Sequence, residues 1–175
     1  MINIQLQNGD IQGDVIPTLT SPLSPGGQPS INLLPGNSWY SPGGAFRLAF
    51  QASNVTLVLQ VINLVSRAWE QGTPMNPNDP NVVQWLPIWT PFPLPFGTVG
   101  SSATVVSMQV DGNLVVYAGP NPIFNTQTEG NEHAILRVQD DGNVVIYRQD
   151  GSAAWQTKTA ASEAPGSPGP PFSSF

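Results

Sequence analysis

Apolar and polar residues alternate over short stretches of this chain, a spacing that predicts β-strands rather than helices. The alternation runs through residues 1–16, 31–73 and 101–159, and turn-forming residues interrupt it at close intervals. Residues 17–30 are rich in proline and glycine, which cannot continue a hydrogen-bonded ladder, and they predict a linker. The sequence therefore predicts an all-β fold.

Two further segments depart from the alternating pattern. Residues 74–100 are rich in proline and predict an irregular aromatic insertion, and residues 160–175 predict a Pro/Gly/Ser-rich tail. We therefore expect an N-terminal extension and linker over residues 1–30 and one β domain over residues 31–159. The large aromatic residues of the insertion are Trp85, Trp89, Phe92 and Phe96.

An internal repeat organises the rest of the chain. The stretch QVDGNLVVY, which begins at Gln109, returns as QDDGNVVIY from Gln139. A third, degenerate copy lies upstream and keeps only Gln51. Three units that cannot each bury an apolar face alone are expected to pack around a shared core. In the degenerate copy the other four motif positions fall on Ser53, Val55, Leu57 and Leu59. The aromatic residues expected to fill the core are Trp69, Phe124 and Trp155.

The turn inside each copy follows from the parity of the strands. A two-residue Asp-Gly hairpin would place Gln109 and Asn113 on opposite faces, whereas a three-residue loop ending at Gly112 pairs them. The third loop position needs a left-handed backbone, which glycine adopts most easily, and Asn54 stands there in the degenerate copy. We predict the three-residue loop, so that the Gln, Asn, Val and Tyr of each motif share one face beside the turn Asp.

Such a face suits a sugar. A pyranose presents adjacent hydroxyls, which both donate and accept hydrogen bonds, next to an apolar patch of C–H groups. Asp accepts hydrogen bonds, Gln and Asn do both, and Val and Tyr can contact the C–H patch. Because one hydrogen bond contributes only about 0.5–1.5 kcal/mol, a single site is expected to be weak, and useful affinity to come from several sites.

The motif Gln-x-Asp-x-Asn-x-Val-x-Tyr, complete in two copies, resembles that of the monocot mannose-binding (bulb-type) lectins. The segment SPGGAF from Ser41 resembles that family's Ser-Pro-x-Gly-x-Phe segment ahead of the first copy. The resemblance covers residues 31–159 apart from the insertion. It implies a β-prism II fold, with three four-stranded antiparallel sheets about a pseudo-threefold axis, one mannose site per sheet, and no metal or other cofactor.

The resemblance also implies a role for each motif residue. The Gln, Asp, Asn and Tyr would donate or accept hydrogen bonds to one mannose, and the Val would line the site. The degenerate copy is expected not to bind mannose. We predict a mannose-binding lectin that is not an enzyme, with mannose-containing glycans as partners and a homodimer as assembly. The expected carbohydrate-binding residues are Gln109, Asp111, Asn113, Val115, Tyr117, Gln139, Asp141, Asn143, Val145 and Tyr147.

Composition restricts the alternatives. Five basic and eleven acidic residues give a net charge of −6, which argues against nucleic acid or an anionic membrane surface as partner. The chain has no cysteine, and His133 is its one histidine, so thiolate and multi-histidine metal sites are not expected. The adjacent Asp140 and Asp141 do not flank a bond as the two carboxylates of a glycosidase do, and we expect no catalytic residue.

Localisation can be predicted only from absent signals. No apolar stretch is long enough to span a bilayer, so we expect no membrane insertion, and the N-terminal residues MINIQLQNGD do not form a signal peptide. We therefore expect a cytoplasmic protein or release by a non-classical route. Plant members of the resembling family carry a disulfide and a signal peptide, which makes a microbial member the better match.

Several alternatives stay open. The protein could be a lectin-like bacteriocin, a scaffold that binds proteins through its aromatic insertion, or an enzyme acting on glycans. The insertion is expected to cover an end of the prism or fill a dimer interface, with a sugar-stacking or membrane-touching surface as the alternative. Asn8-Gly9 predicts a hairpin in residues 1–16, which could pair within the chain or with a neighbouring copy.

Overall fold

The computed structural model describes residues 2–52, 55–64, 74–92 and 103–160. These residues form short β-strands, and none of them belongs to a helix that could cross a membrane. The strands are β1 (Ile11–Gln12), β2 (Ser30–Leu33), β3 (Ser38–Tyr40), β4 (Phe46–Gln51), β5 (Thr56–Leu64), β6 (Val83–Trp89), β7 (Val105–Gln109), β8 (Leu114–Ala118), β9 (Asn121–Asn125), β10 (Ile135–Val138), β11 (Val144–Tyr147) and β12 (Ala153–Gln156).

Three sheets account for all of these strands. The first sheet has the order β1-β3-β4-β5-β6, the second β2-β7-β8-β9 and the third β10-β11-β12. Neighbouring strands are antiparallel except for β1 and β3, which run parallel. The all-β prediction is confirmed. The expectation of four strands in every sheet is wrong, because β1 extends the first sheet and a single bridge from Val15 to Leu136 stands beside β10 in the third.

One apolar core lies between the three sheets. Alternate residues of the central strands point into it, as the period-two pattern of the sequence requires. The side chains that each sheet contributes are almost completely buried, which removes the apolar face of every repeat from water. These core residues include Leu48, Phe50, Leu57 and Leu59 from the first sheet, Met108, Leu114 and Val116 from the second, and Leu136, Val138, Val144 and Ile146 from the third.

One aromatic side chain from the last strand of each sheet packs against this core. The ring of Trp89 lies 5.7 Å from that of Trp155 and 6.4 Å from that of Phe124, both edge to face. Phe124 and Trp155 are the predicted residues, whereas Trp69 lies outside the described residues. In the structure the aromatic residue from the first sheet is Trp89, which belongs to the predicted insertion.

The backbone repeats with the same irregularity in every sheet. The three aromatic residues pair with equivalent positions of the preceding strand, and in each sheet the register shifts immediately afterwards. A register shift at one equivalent place in all three sheets supports the threefold repeat seen in the sequence. The pairs are Leu59 with Trp89, Val116 with Phe124, and Ile146 with Trp155.

Part of the segment predicted to be an irregular insertion is therefore a β-strand, Val83–Trp89, with one bulge near its end. Pro87 is accommodated there because β6 is an edge strand and itself carries the extra, unpaired residue of the bulge, Ile88, next to Pro87. Phe92 is 5% exposed and packs edge to face with Phe124. Together with Trp89 it covers the prism core, in agreement with one of the two expected roles. Phe96 lies outside the described residues, as does the chain after residue 160.

The N-terminal segment pairs within its own chain. A turn forms at the predicted Asn8-Gly9, with Asp10 N donating to Gln7 O at 3.0 Å. The segments on either side do not form the predicted hairpin, because Ile4 bridges to Met75 and β1 pairs with β3. Each of these two segments thus pairs with residues far away in the sequence. Ile4 and Met75 belong to a second, small apolar cluster on the outer face of the first sheet.

We predict that Trp89→Ala lowers the free energy of unfolding by about 3 kcal/mol, because it removes the ring that contacts both other core aromatics. Leu86→Ala, on the same strand but 37% exposed, is the control and should cost less than about 0.5 kcal/mol. Urea unfolding measures both values. Equal losses in the two variants would contradict the central position of Trp89.

Candidate functional site

The turn that carries each complete motif has the predicted three-residue form. The backbone N–H of Gln109 donates to the carbonyl of Asn113 at 2.9 Å, and Gln139 donates to Asn143 at 2.8 Å. The third loop residue is a glycine with φ of +94° in the first motif and +93° in the second. This left-handed backbone is the reason for the Asp-Gly-Asn sequence of both turns.

The motif Asp and Asn are held by the same bonds in both copies. Asp111 Oδ1 accepts from the backbone N–H of Asn113 at 3.0 Å, and the hydroxyl of Thr126 donates to Asn113 Oδ1 at 3.1 Å. The equivalent bonds of the second motif measure 2.9 Å and 3.0 Å. The supporting residues Thr126 and Thr157 were not predicted. The sequence does show that each of them follows an aromatic residue, Phe124 or Trp155, by two positions.

In the first motif the side chains of Gln109, Val115 and Tyr117 lie together but are only 4%, 3% and 5% exposed. The Tyr117 hydroxyl donates to Gln109 Oε1 at 2.6 Å, and Gln109 Nε2 donates to Asp111 at 3.2 Å. A further donor to Gln109 Oε1 is the hydroxyl of Ser24, at 3.1 Å. The predicted linker thus covers this motif, a contact that sequence reasoning did not find.

In the second motif the same face reaches solvent. Asp141 is exposed and Gln139 and Tyr147 are half-buried, whereas Asn143 and Val145 are buried. Gln139 Nε2 donates to the Tyr147 hydroxyl oxygen at 2.6 Å, so the hydroxyl proton of Tyr147 can be donated elsewhere. Carbonyl, carboxylate and hydroxyl groups therefore stand side by side at an accessible place on the third sheet.

Arg137 forms one side of this open face. It pairs with Val145 across the strands, and its guanidinium lies 5.1 Å from the ring centre of Tyr147. Asp14 holds it in place through bonds of 2.7 Å and 2.9 Å. The second sheet has Ser107 at the equivalent position, opposite Val115. Arg137 was not singled out in the sequence, although its alternate spacing before Gln139 places it on the same face.

A surface cavity of about 390 Å³ adjoins the open face. Arg137 and Tyr147 line it together with His133 and Arg148. The Asp14–Arg137 hydrogen bond lowers the pKa of Asp14 below its ordinary value of 3.8 and raises that of Arg137. The described part of the chain contains no group of acidic and histidine side chains arranged to hold a metal ion.

The predicted alignment of the degenerate copy is wrong by one residue. Gln51 pairs with Thr56, so four residues form this turn instead of three. Val55 has a φ of +51°, while Ser53 and Asn54 lie outside the described residues. Because one added residue moves each following side chain to the opposite face, the predicted Leu57 and Leu59 point into the core. The residues equivalent to the motif Asn, Val and Tyr are Thr56, Val58 and Gln60.

A different set of side chains occupies the outer face of the first sheet. The Arg47 guanidinium lies 4.1 Å from the ring centre of Trp85 and donates to Gln60 Oε1 at 2.8 Å. Burial lowers the pKa of Arg47. The Trp85 ring also packs edge to face with Tyr40, 6.1 Å away. On this face Gln60 stands at the position of the motif Tyr.

One solved structure shares this fold over most of its length. The Japanese Marasmius oreades lectin matches 85% of this chain and 95% of its own, with a TM-score of 0.55 and 18% sequence identity. The fold is a β-prism II. The resemblance drawn from the motif is thereby confirmed at the level of the fold.

The β-prism II chain also matches solved monocot lectins. Monomeric monocot mannose-binding lectins from Gastrodia elata are 27% identical over 74% of this chain and 90% of theirs, with a TM-score of 0.49. The mannose-specific agglutinin of snowdrop (Galanthus nivalis), complexed with methyl-α-D-mannoside, is 38% identical over 34% of this chain and 54% of its own, with a TM-score of 0.32. No protein-family model and no curated protein matches the chain.

We predict that Asp14→Asn removes a pH-dependent part of the stability. The native pKa of Asp14 is lowered, so the ion pair stabilises the fold above about pH 4 and this contribution is lost as the pH falls through the native pKa. Arg137 keeps 39% side-chain exposure, so the difference from the parent should not exceed about 1 kcal/mol.

Urea unfolding of the parent and of Asp14→Asn between about pH 2 and pH 7 measures this difference. Glu129→Gln, which changes an exposed carboxyl group, is the control. A difference between parent and Asp14→Asn that stays constant down to about pH 2 would contradict the role given to the ion pair.

Proposed function

We propose that this protein is a lectin that binds mannose-type hexoses on the open face of the third sheet. Binding needs no metal ion, and the protein does not hydrolyse the sugar. The observation that carries the proposal is the position of Gln139, Asp141 and Tyr147, which reach solvent side by side on a rigid strand–turn–strand unit. The choice of mannose among the hexoses follows from the resemblance of the complete motif to that of the bulb-type lectins.

The polar groups of this face match neighbouring sugar hydroxyls. The exposed carboxylate of Asp141 accepts from a hydroxyl, Gln139 Oε1 accepts from another, and the Tyr147 hydroxyl donates its proton to a sugar oxygen. Val145 is 3% exposed and lies beneath these polar groups, so it supports the site more than it contacts the ring. Few bonds of this kind give weak binding at one site, so we propose that glycans bearing several mannose units bind more tightly, and that a homodimer adds further sites.

Asn143 supports the site from behind. Its Oδ1 accepts from the hydroxyl of Thr157 at 3.0 Å, and its Nδ2 donates to Gln156 Oε1 at 2.8 Å. Because the side chain is 4% exposed and bonded at both ends, we propose that it fixes the turn in the arrangement described here. One N–H of Nδ2 is used by Gln156, which leaves the second N–H as the donor that a sugar hydroxyl would contact.

The competing roles receive less support. Trp89 and Phe92 of the insertion pack on the core, which leaves a protein-binding scaffold less of the aromatic surface it would use. Asp140 Oδ1 accepts from the backbone N–H of Gly43 at 2.8 Å, so this carboxylate holds a loop instead of pairing with Asp141 across a sugar bond. We therefore propose binding without hydrolysis.

We predict that Tyr147→Phe weakens binding of methyl-α-mannoside roughly tenfold, because it removes the hydroxyl that donates to the sugar. The matched control is Tyr117→Phe, which makes the same change in the covered motif and should leave the affinity unchanged. Isothermal titration calorimetry measures both affinities. An equal affinity for the parent and Tyr147→Phe would refute the assignment of the site.

We predict that chelation leaves mannose binding unchanged, since the neutral amides of Gln139 and Asn143, one carboxylate and one hydroxyl make all the proposed polar contacts. The measurement compares retention on mannose-agarose before and after dialysis against EDTA. Loss of retention that calcium restores would contradict a metal-free site.

We also predict that the protein does not hydrolyse mannan. Incubation with mannan should therefore release no new reducing ends.

A further inference from the structure

A narrow hairpin of residues 22–30 lies on the first complete motif. The N–H of Ser24 donates to the carbonyl of Gln28 at 2.7 Å, and Ser30 donates to Pro22 at 2.7 Å. The hairpin leads directly into β2, which pairs with β7 of the same sheet. The pairing of β2 with β7 therefore keeps the hairpin close to the motif.

The tip of this hairpin touches the groups that would hold a sugar. The Ser24 hydroxyl donates to Gln109 Oε1, which also accepts from the Tyr117 hydroxyl. A Cβ atom added to Gly26 would lie 2.5 Å from the Tyr117 hydroxyl oxygen. The backbone is therefore so close to this hydroxyl that only glycine fits at position 26. A hydroxyl donor and an uncharged backbone thus occupy the face of the motif.

The two complete motifs differ mainly in this cover. Their turns and the bonds from the turn backbone to the motif Asp and from the threonine hydroxyl to the motif Asn are equivalent. The Gln–Tyr distance is 2.6 Å in both, but Tyr117 donates to Gln109 Oε1, whereas Gln139 Nε2 donates to Tyr147. Gln109 and Tyr117 are nevertheless 4% and 5% exposed, while Gln139 and Tyr147 are half-buried. The covered motif keeps all five side chains, but its Gln and Tyr are buried under the hairpin, while Asp111 and Asn113 are half-buried.

We propose that residues 22–30 are an internal ligand of the second sheet, in which the Ser24 hydroxyl stands in for a sugar hydroxyl, and that lifting the hairpin uncovers a second hexose site. The proposal rests on the proposed function. The closed chain then binds one hexose and the opened chain two. If the hairpin is lifted in about one molecule in a hundred, the apparent affinity of this site is about a hundredfold weaker than that of an uncovered one.

The test counts sites by calorimetry with methyl-α-mannoside. The parent should bind one sugar per chain, and Gly26→Val, whose side chain would meet Tyr117, should bind two. Pro25→Val is the matched control, since it places the same side chain on an exposed position of the same turn and should leave one site. Adding Tyr117→Phe to Gly26→Val should weaken only the new site, roughly tenfold.

The outcomes separate the two proposals. If the parent does not bind methyl-α-mannoside, the proposed function is wrong. If the parent and Gly26→Val each bind one sugar per chain, the proposal that residues 22–30 are an internal ligand is wrong. If Gly26→Val does not fold, Ser24→Ala takes its place, because it removes only the hydroxyl that contacts Gln109.

A measurement on the unmutated protein is independent of both variants. The N–H of Val110 donates to the carbonyl of Pro29 at 2.8 Å, and saturating mannoside should speed its hydrogen exchange. Unchanged exchange at saturation, together with a single site in Ser24→Ala, overturns the proposal.

Discussion

Burial of one apolar face from each of three sheets in a common core is the constraint on which the rest of the molecule depends. A sheet of three to five strands with one apolar face is not stable in water by itself, so the repeats stabilise one another. Trp89, Phe124 and Trp155 join the three sheets at one equivalent position. This packing fixes which face of each sheet points outward, and hence where the polar motifs lie.

The outer faces have diverged on this common frame. The first sheet carries Arg47 and a second apolar cluster, the second sheet lies under a hairpin, and the third sheet is open. The apolar core is common to all three sheets despite these differences, because inward and outward side chains alternate along every strand. The turn of the first sheet differs from the other two by one added residue. The accessibility of the motif on the second sheet is thus set by a segment outside the repeat.

Parity and turn chemistry were enough to predict the complete motifs, since Asp-Gly-Asn admits one loop that keeps Gln109 and Asn113 on one face. The same reasoning failed for the degenerate copy, where an added turn residue reversed the faces and the sequence had no glycine to mark the left-handed position. Trp89 was assigned to an irregular insertion because neighbouring prolines masked an edge strand. The cover over Tyr117 could not be predicted, because a Pro/Gly-rich segment has no periodicity that would indicate its partner.

The N-terminal segment contacts the three sheets one after another. Ile11–Gln12 extends the first, Val15 bridges to the third, and Ser30–Leu33 completes the second. Because the N-terminal segment contacts all three sheets, it couples the unfolding of repeats that would otherwise unfold one by one. The protein should therefore unfold in a single cooperative transition. This coupling also means that no single repeat can be excised as an autonomous module, despite the sequence similarity among the repeats.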